Sequence, residues 1–406
     1  MSRRGGGGGT ASGRFSPRTP TDLEPNRLSA LVERLHAARR PLCDLTGSNP
    51  TEVGLAYPEV ELAQALAAGA AGRYQPSPRG LPSARRAVAD FLAPRAASAT
   101  EPAPAPEQVL LTASTSEAYG FLFKLLCAPG DQVLVPRPSY PLFEHLARLE
   151  AVEARSYALG PSPRFALDPD RVEVELGPRT RAVVVVSPNN PTGSVASAAA
   201  LAELSRLCGD RGAALISDEV FADYPAAGHP PAPSALAAGG GLRFALGGLS
   251  KSCALPHYKL GWLVAAGPPA EREEALARLD HVADAYLSAS GPVMRALPRL
   301  LEIGREIRGQ VARRVHSSGV AAGRVLAGSS AARLLPAEGG WSAVIELDRE
   351  VDEEALALEL ADSHGVLVHP GYFFDFDRGA HAVISLLAPA SDVERGLAAL
   401  RAVLEA

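Results

Sequence analysis

Four consecutive valines, Val183–Val186, follow Arg181-Ala182 and run straight into Ser187-Pro188-Asn189-Asn190-Pro191-Thr192-Gly193. β-branched residues favour strands, and an unbroken apolar run belongs to a strand covered on both faces. Such a strand needs helices above and below it, so it constrains the chain to a layered α/β architecture. The surrounding sequence repeats the pattern. Strands are expected at Val109–Thr112, Asp131–Pro136, Ala213–Ser217, Phe244–Gly247 and Gly261–Ala266. Helices are expected through 116–127, after Pro141, and over 197–211. This alternation predicts a mostly parallel sheet sandwiched by helices.

The flanks read differently. A helix is expected from Asn26 to Arg40 with Asn26 as its N-cap, then turn chemistry over Asp44-Leu45-Thr46-Gly47-Ser48-Asn49-Pro50. Helices near 59–69 and 82–93 precede a Pro/Ala linker at 94–106. Beyond the sheet pattern come long helices over 271–313 and short strands near 343–347, 366–368 and 382–387, which predict a smaller α+β domain. The expected division is a disordered tail at 1–20 and an N-terminal arm with part of the small domain at 21–58. The large domain then covers 59–300 and the small C-terminal domain 301–406.

The 406 residues carry 40 basic and 45 acidic side chains, a net charge of -5. That balance gives no general attraction to nucleic acid or anionic membrane. The Gly- and Arg-rich start lacks the apolar core of a signal peptide, and no apolar run is long enough to span a bilayer. Cys43, Cys127, Cys208 and Cys253 have no metal-binding spacing, so reduced thiols and a cytoplasmic location are expected. No Walker A sequence occurs, and the Gly5–Gly9 run does not follow a strand.

Three loops stand at the carboxyl ends of expected strands, where open α/β sheets bind ligands. They are Ser187–Gly193, Asp218-Glu219 and Ser250-Lys251. A lysine enclosed at a strand end can become a neutral nucleophile. A carboxylate there can pair with a protonated ring nitrogen, and the Asn190 amide can donate to a phenolate. An amine, a carboxylate and an amide donor are together what pyridoxal phosphate (PLP) requires at its aldehyde, its ring nitrogen and its 3′ oxygen. Singly, each has an ordinary explanation as a surface lysine, a helix cap or a turn.

From about Pro25 onward the sequence resembles the class I/II aminotransferases of the type I PLP fold. The resemblance rests on Ser187-Pro-Asn-Asn-Pro-Thr-Gly193, on Ser217-Asp218-Glu219-Val220, and on Leu249-Ser250-Lys251 through Lys259-Leu260-Gly261-Trp262. It implies an amino-group transfer from an amino acid or related amine to a 2-oxo acid, with Lys251 as the Schiff-base lysine and proton-transfer base and Asp218 on the pyridine nitrogen. It also implies a phosphate site at Ser114-Thr115-Ser116, with Ser250 and Lys259 nearby, and a ring-stacking position for Tyr140. Tyr74 matches a tyrosine that reaches the phosphate of a neighbouring subunit, which implies a homodimer with shared active sites.

The sequence also departs from that family. Lys259 stands where arginine is usual, Gly248 where serine is frequent, and Phe221 where tyrosine is frequent. Val383, in His381-Ala382-Val383-Ile384-Ser385, occupies the place of the arginine that grips the substrate carboxylate. Arg378, His381 and His369 are the nearby candidates for a substitute, and Gly47 and Asn49 are candidate substrate contacts. The missing arginine keeps other PLP reactions (lyase, decarboxylase, racemase, cyclase) open as alternatives. A non-enzymatic PLP-binding regulator would need a DNA-binding domain, for which the N-terminal segment is too short.

Overall fold

The computed structural model describes residues 14–98, 101–348 and 350–406. Most of the expected tail lies outside the described residues, and Arg14–Pro20 contains neither helix nor strand. In chain order come α1 (Arg27–Ala37), β1 (Cys43–Asp44), α2 (Glu59–Ala70), α3 (Pro82–Ala96), β2 (Val109–Thr112), α4 (Thr115–Leu126) and β3 (Gln132–Arg137). Next are α5 (Leu142–Leu149), β4 (Glu153–Ala158), α6 (Pro169–Glu175), β5 (Thr180–Val186), α7 (Ala198–Asp210) and β6 (Ala214–Asp218). The central part closes with β7 (Arg243–Gly248), the short α8 (Leu249–Ser252), β8 (Gly261–Ala266) and α9 (Pro269–Asp284). The chain ends with α10 (Gly291–Leu326), β9 (Ala332–Leu334), β10 (Ser342–Leu347), α11 (Glu353–His364), β11 (Val366–Leu367), β12 (His369–Pro370), β13 (Ala380–Ser385) and α12 (Ala390–Leu404).

Seven strands form the main sheet in the order β2-β8-β7-β6-β5-β3-β4. Only β8 runs against its neighbours. The valine strand β5 lies between β3 and β6, pairing with both in parallel. Val183, Val184 and Val185 are at most 2% exposed. Alternate valines feed two separate apolar cores, one on each face of the sheet. That is the two-sided cover the sequence requires. Because β2, β3, β5, β6 and β7 point the same way, their carboxyl ends share one edge of the sheet.

A second, antiparallel sheet has the order β12-β13-β10-β9, and β1-β11 is a parallel pair. The latter ties the segment after α1 to the C-terminal region. Leu28, Leu31, Leu35 and Leu45 join Val366, Val393, Leu397 and Leu400 in one core. Asn26 caps α1 by accepting from Ser29 N, as expected.

Three expectations need correction. α3 continues through Pro94 to Ala96, so the linker begins later than 94. Proline near a helix end removes one hydrogen bond and leaves the earlier turns intact. The helical stretch 271–313 is two helices, interrupted around Leu287, whose φ is 46°. β4 and α6 fill a region without an expected element. Among the described residues no helix is long and apolar enough to cross a membrane, and the four cysteines are unpaired.

Candidate active site

The shared carboxyl edge of the sheet opens into a cavity of about 330 Å³. Each strand end delivers one part. After β2, Ser114 caps α4 by accepting from Glu117 N at 3.2 Å. The Thr115 and Ser116 N–H groups of the first turn have no intrahelical acceptor and adjoin the cavity. Such a helix start attracts phosphate. Gly261 of β8 lets this turn approach the sheet. A Cβ there would lie 2.9 Å from the Ser114 carbonyl carbon and 3.1 Å from Thr115 N.

After β3, Tyr140 reaches the cavity mouth and remains 49% exposed. The loop after β5 is fixed by Asn189, whose Nδ2 donates to the Pro138 carbonyl at 3.1 Å and to Thr192 Oγ1 at 2.9 Å. This holds the Tyr140 segment and the Asn190 loop together. Asn190 Oδ1 accepts from Ser342 Oγ at 3.2 Å, so its amide nitrogen is the end left to donate into the cavity.

At the end of β6, Asp218 accepts from Tyr119 Oη at 3.1 Å and from Val220 N at 3.2 Å. Burial pushes its carboxyl up to about 6, against the lowering effect of these hydrogen bonds and of Lys251. At neutral pH it remains ionised, yet it is poorly solvated and ready for a cationic partner. The neighbouring Glu219 does different work. It is buried and accepts from Ala235 N at 2.8 Å and Ser234 Oγ at 3.0 Å, which anchors the following loop.

Lys251 sits in α8, the single turn after β7. Its backbone carbonyl accepts from Tyr224 Oη at 2.6 Å, and Leu249 N donates to Leu260 O at 2.9 Å. Nζ stands over the Trp341 ring at 5.1 Å and the Phe221 ring at 5.9 Å. Burial lowers its pKa, and Asp218 opposes this through space without a hydrogen bond. Burial of this kind favours the neutral, nucleophilic form of an amine.

The cavity therefore collects Ser114, Thr115, Ser116, Tyr140, Asn190, Asp218, Ser250 and Lys251, with Phe221, Gly248, His369 and Val383. An unpaired amine, a poorly solvated carboxylate, a free amide and a helix start in one cavity match the groups of PLP. These are the residues that would hold it.

Other candidates lie elsewhere. Lys259 is exposed, with φ 50°, and does not line the cavity. Asn49 does not line the cavity, and its Oδ1 caps the next turn, accepting from Thr51 N and Thr51 Oγ1. Its neighbours Thr46 and Ser48 line the cavity in place of Gly47 and Asn49. Arg378 borders a different cavity beside Arg137 and Asp377. His381 is stacked on Phe376 with ring centroids 4.1 Å apart. It stands two residues before Val383, about 7 Å along the strand, so neither it nor Arg378 replaces an arginine at 383. Tyr74 is 81% exposed and borders a surface cavity with Arg73 and Arg295.

Of the cavity residues that escaped the sequence reading, two stand next to the charged groups of the site. Tyr119 follows Thr115 and Ser116 by one helical turn, and that spacing places it on the same face of α4. Trp341 enters from the start of β10 and has no periodic signal around it.

A sheet of this topology with a lysine, a carboxylate and a phosphate-type helix start at one edge defines a PLP-fold protein. The chain belongs to the aminotransferase class I and II family, whose sequence profile matches residues 43–400. It is 31% identical over 287 residues to nicotianamine aminotransferase A of Hordeum vulgare, covering 68% of this chain and 60% of that protein. It is 30% identical over 247 residues to the S-alkyl-thiohydroximate lyase SUR1 of Arabidopsis thaliana, covering 58% and 51%. The chain thus spans only about half to three fifths of the length of these relatives. The alanine aminotransferase structure from Pyrococcus furiosus superposes with a TM-score of 0.84 at 21% identity, over 93% of this chain and 96% of that one. This last likeness concerns the fold.

Proposed function

We propose that this protein is a PLP-dependent aminotransferase that moves an amino group from an amino acid or related amine to an oxo compound, a 2-oxo acid in the family's usual form. The observation that carries the reading is the pairing of Lys251 and Asp218 in one cavity: both enclosed, interacting through space, and neither neutralising the other by contact. Family membership supports the same reading.

PLP, when bound, supplies an aldehyde that takes amines covalently and a ring that draws electrons from the substrate carbon. The protein supplies the rest. Ser114, Thr115, Ser116 and Ser250 bind the phosphate through hydroxyls and first-turn N–H groups. Asp218 holds a proton on the ring nitrogen, and Tyr119 keeps that carboxylate ionised. Asn190 donates to the ring oxygen, and Tyr140 covers the ring at the cavity mouth. Lys251 would move a proton at the substrate carbon within hydrogen-bond reach. The buried, aromatic surroundings exclude water from that transfer. A cytoplasmic homodimer is part of this proposal, with the exposed Tyr74 reaching the partner's phosphate.

A second reading, a PLP-dependent lyase, is favoured by one observation: a relative at 30% identity bears a lyase name. A half-reaction separates the two. PLP-loaded protein is mixed with single amines and no acceptor, and the cofactor is identified by mass. Pyridoxamine phosphate with an equivalent of carbonyl product supports transamination. Released ammonia with PLP unchanged overturns it in favour of the lyase.

A further inference from the structure

One wall of the cavity carries none of the residues assigned above to the cofactor. It comes from the small domain and the segment after Tyr140: Trp341, His369, Phe374 and Val383, with Leu142 and Phe143. Among the described residues no arginine lines the cavity, and Lys251 and His369 are its only basic side chains. Lys251 is committed to the cofactor. Burial pushes His369 below the ordinary histidine range, although the Asp44 charge opposes this, and so favours its uncharged form.

The remaining donors are all uncharged, and several are already engaged. Thr46 Oγ1 donates to Asp44 Oδ1 at 2.6 Å, and Ser342 Oγ donates to Asn190. That leaves the Trp341 indole N–H, which is buried without a partner, and the hydroxyls of Ser48 and Ser385. His369 Nδ1 is also buried and unpartnered. A carboxylate on the reacting carbon would be buried here against aromatic rings with no countercharge, which is strongly unfavourable. A neutral apolar body meets no such penalty.

We infer that the substrate of this cavity is a primary amine with an apolar, aromatic or branched body and no carboxylate on its reacting carbon. This rests on the aminotransferase reading for the position of the reacting carbon next to Lys251. The acceptor meets the same wall, so an aldehyde or ketone is preferred over a 2-oxo acid. The overall exchange balances without a further reactant: the donor amine becomes a carbonyl compound, and the acceptor carbonyl becomes an amine. Trp341 and His369 are the specificity-determining residues. Trp341 offers its N–H to a neutral hydroxyl or carbonyl on the body of the substrate, and neither ring carries a fixed charge to offset an anion.

The test is a binding titration of the PLP-loaded full chain, followed by its visible spectrum. Matched pairs differ only in the carboxylate: phenethylamine against phenylalanine, and isoamylamine against leucine. The amines are expected to half-saturate the spectral change at a concentration at least about tenfold lower, the scale of an unmatched charged group. Equal or tighter binding of the amino acids overturns the inference, as does an unchanged spectrum with every compound. An arginine contributed by a second copy of the chain would show itself as the former result. In Val383→Arg the preference is expected to narrow or invert. If that variant does not fold, the wild-type pairs still decide. The two readings fail separately. A spectral response to amines without pyridoxamine phosphate sinks transamination and leaves the substrate class standing. Pyridoxamine phosphate formed preferentially from the amino acids does the reverse.

Discussion

Tyr119→Phe isolates the electrostatics of the site with the loss of one oxygen atom. Tyr119 Oη donates to Asp218 Oδ2 at 3.1 Å, and this bond helps to hold down a carboxyl that burial has pushed up to about 6. A hydrogen bond to a charged group contributes about 1.5–3 kcal/mol, or about 1 to 2 pH units at 1.36 kcal/mol per unit. Without it the Asp218 pKa is expected at about 7 to 8. The sign follows from proton linkage. PLP with a protonated ring nitrogen binds the ionised carboxylate, so affinity falls as pH drops through the pKa of the free protein. Wild type should lose affinity below about pH 6, and the variant should begin to lose it 1 to 2 units higher. Near pH 7 the variant then binds PLP about two- to tenfold more weakly, and the gap closes at high pH. The assay is PLP affinity measured by absorbance from pH 5 to pH 9. Taking the ratio of variant to wild type cancels the titrations of PLP itself. A loss that is uniform across pH would refute the reasoning, because it would mean that Tyr119 only fills space.

Two further substitutions probe other walls. In Gly261→Ala the new methyl would press on Ser114 and Thr115, so PLP affinity should drop more than about tenfold while the far-ultraviolet spectrum stays unchanged. Unchanged affinity would show that the start of α4 does not hold the phosphate. Phe221→Tyr places a hydroxyl near Lys251, where the ring now packs edge-on against Trp341 with centroids 5.4 Å apart. A phenol donating to the ring oxygen of PLP should lower the pH midpoint of the visible band by about one unit. An unmoved midpoint would mean that Asn190 already satisfies that oxygen.

The legible parts of the fold were those whose cause is local. The valine strand announces itself because both of its faces are buried, and the loops after β5, β6 and β7 carry chemistry that a short motif can encode. β4 was missed because it lies at the edge of the sheet, and Glu153-Ala154-Arg155-Ser156 alternates too weakly to mark a strand. The 36-residue helix α10 was cut short at 313 because glycines and serines near 304–323 resemble stop signals. Gly304 is there for a different reason: a Cβ would meet Cys253 Sγ at 2.4 Å, so the residue lets α10 pass close to the turn that carries Lys251. Within the site, Asp218, Asn190 and Lys251 were legible because each ends a strand of the same parallel sheet. Arg378 and His381 were chosen for nearness in sequence to Val383. The rise along β13 and the stacking of His381 on Phe376 separate them from the cavity. Trp341 reaches the cavity from the segment just before β10, distant in sequence from the loops of the main sheet, and no local pattern predicts that.

The central claim is that Lys251 carries the cofactor. PLP is added to the purified protein, the visible spectrum is recorded, the complex is reduced with borohydride, and the modified peptide is located by mass spectrometry. A visible band absent from Lys251→Ala, with the phosphopyridoxyl mass on Lys251 alone, is the predicted result. A band that persists in Lys251→Ala, or a label on Lys259 or Lys124 instead, would contradict it.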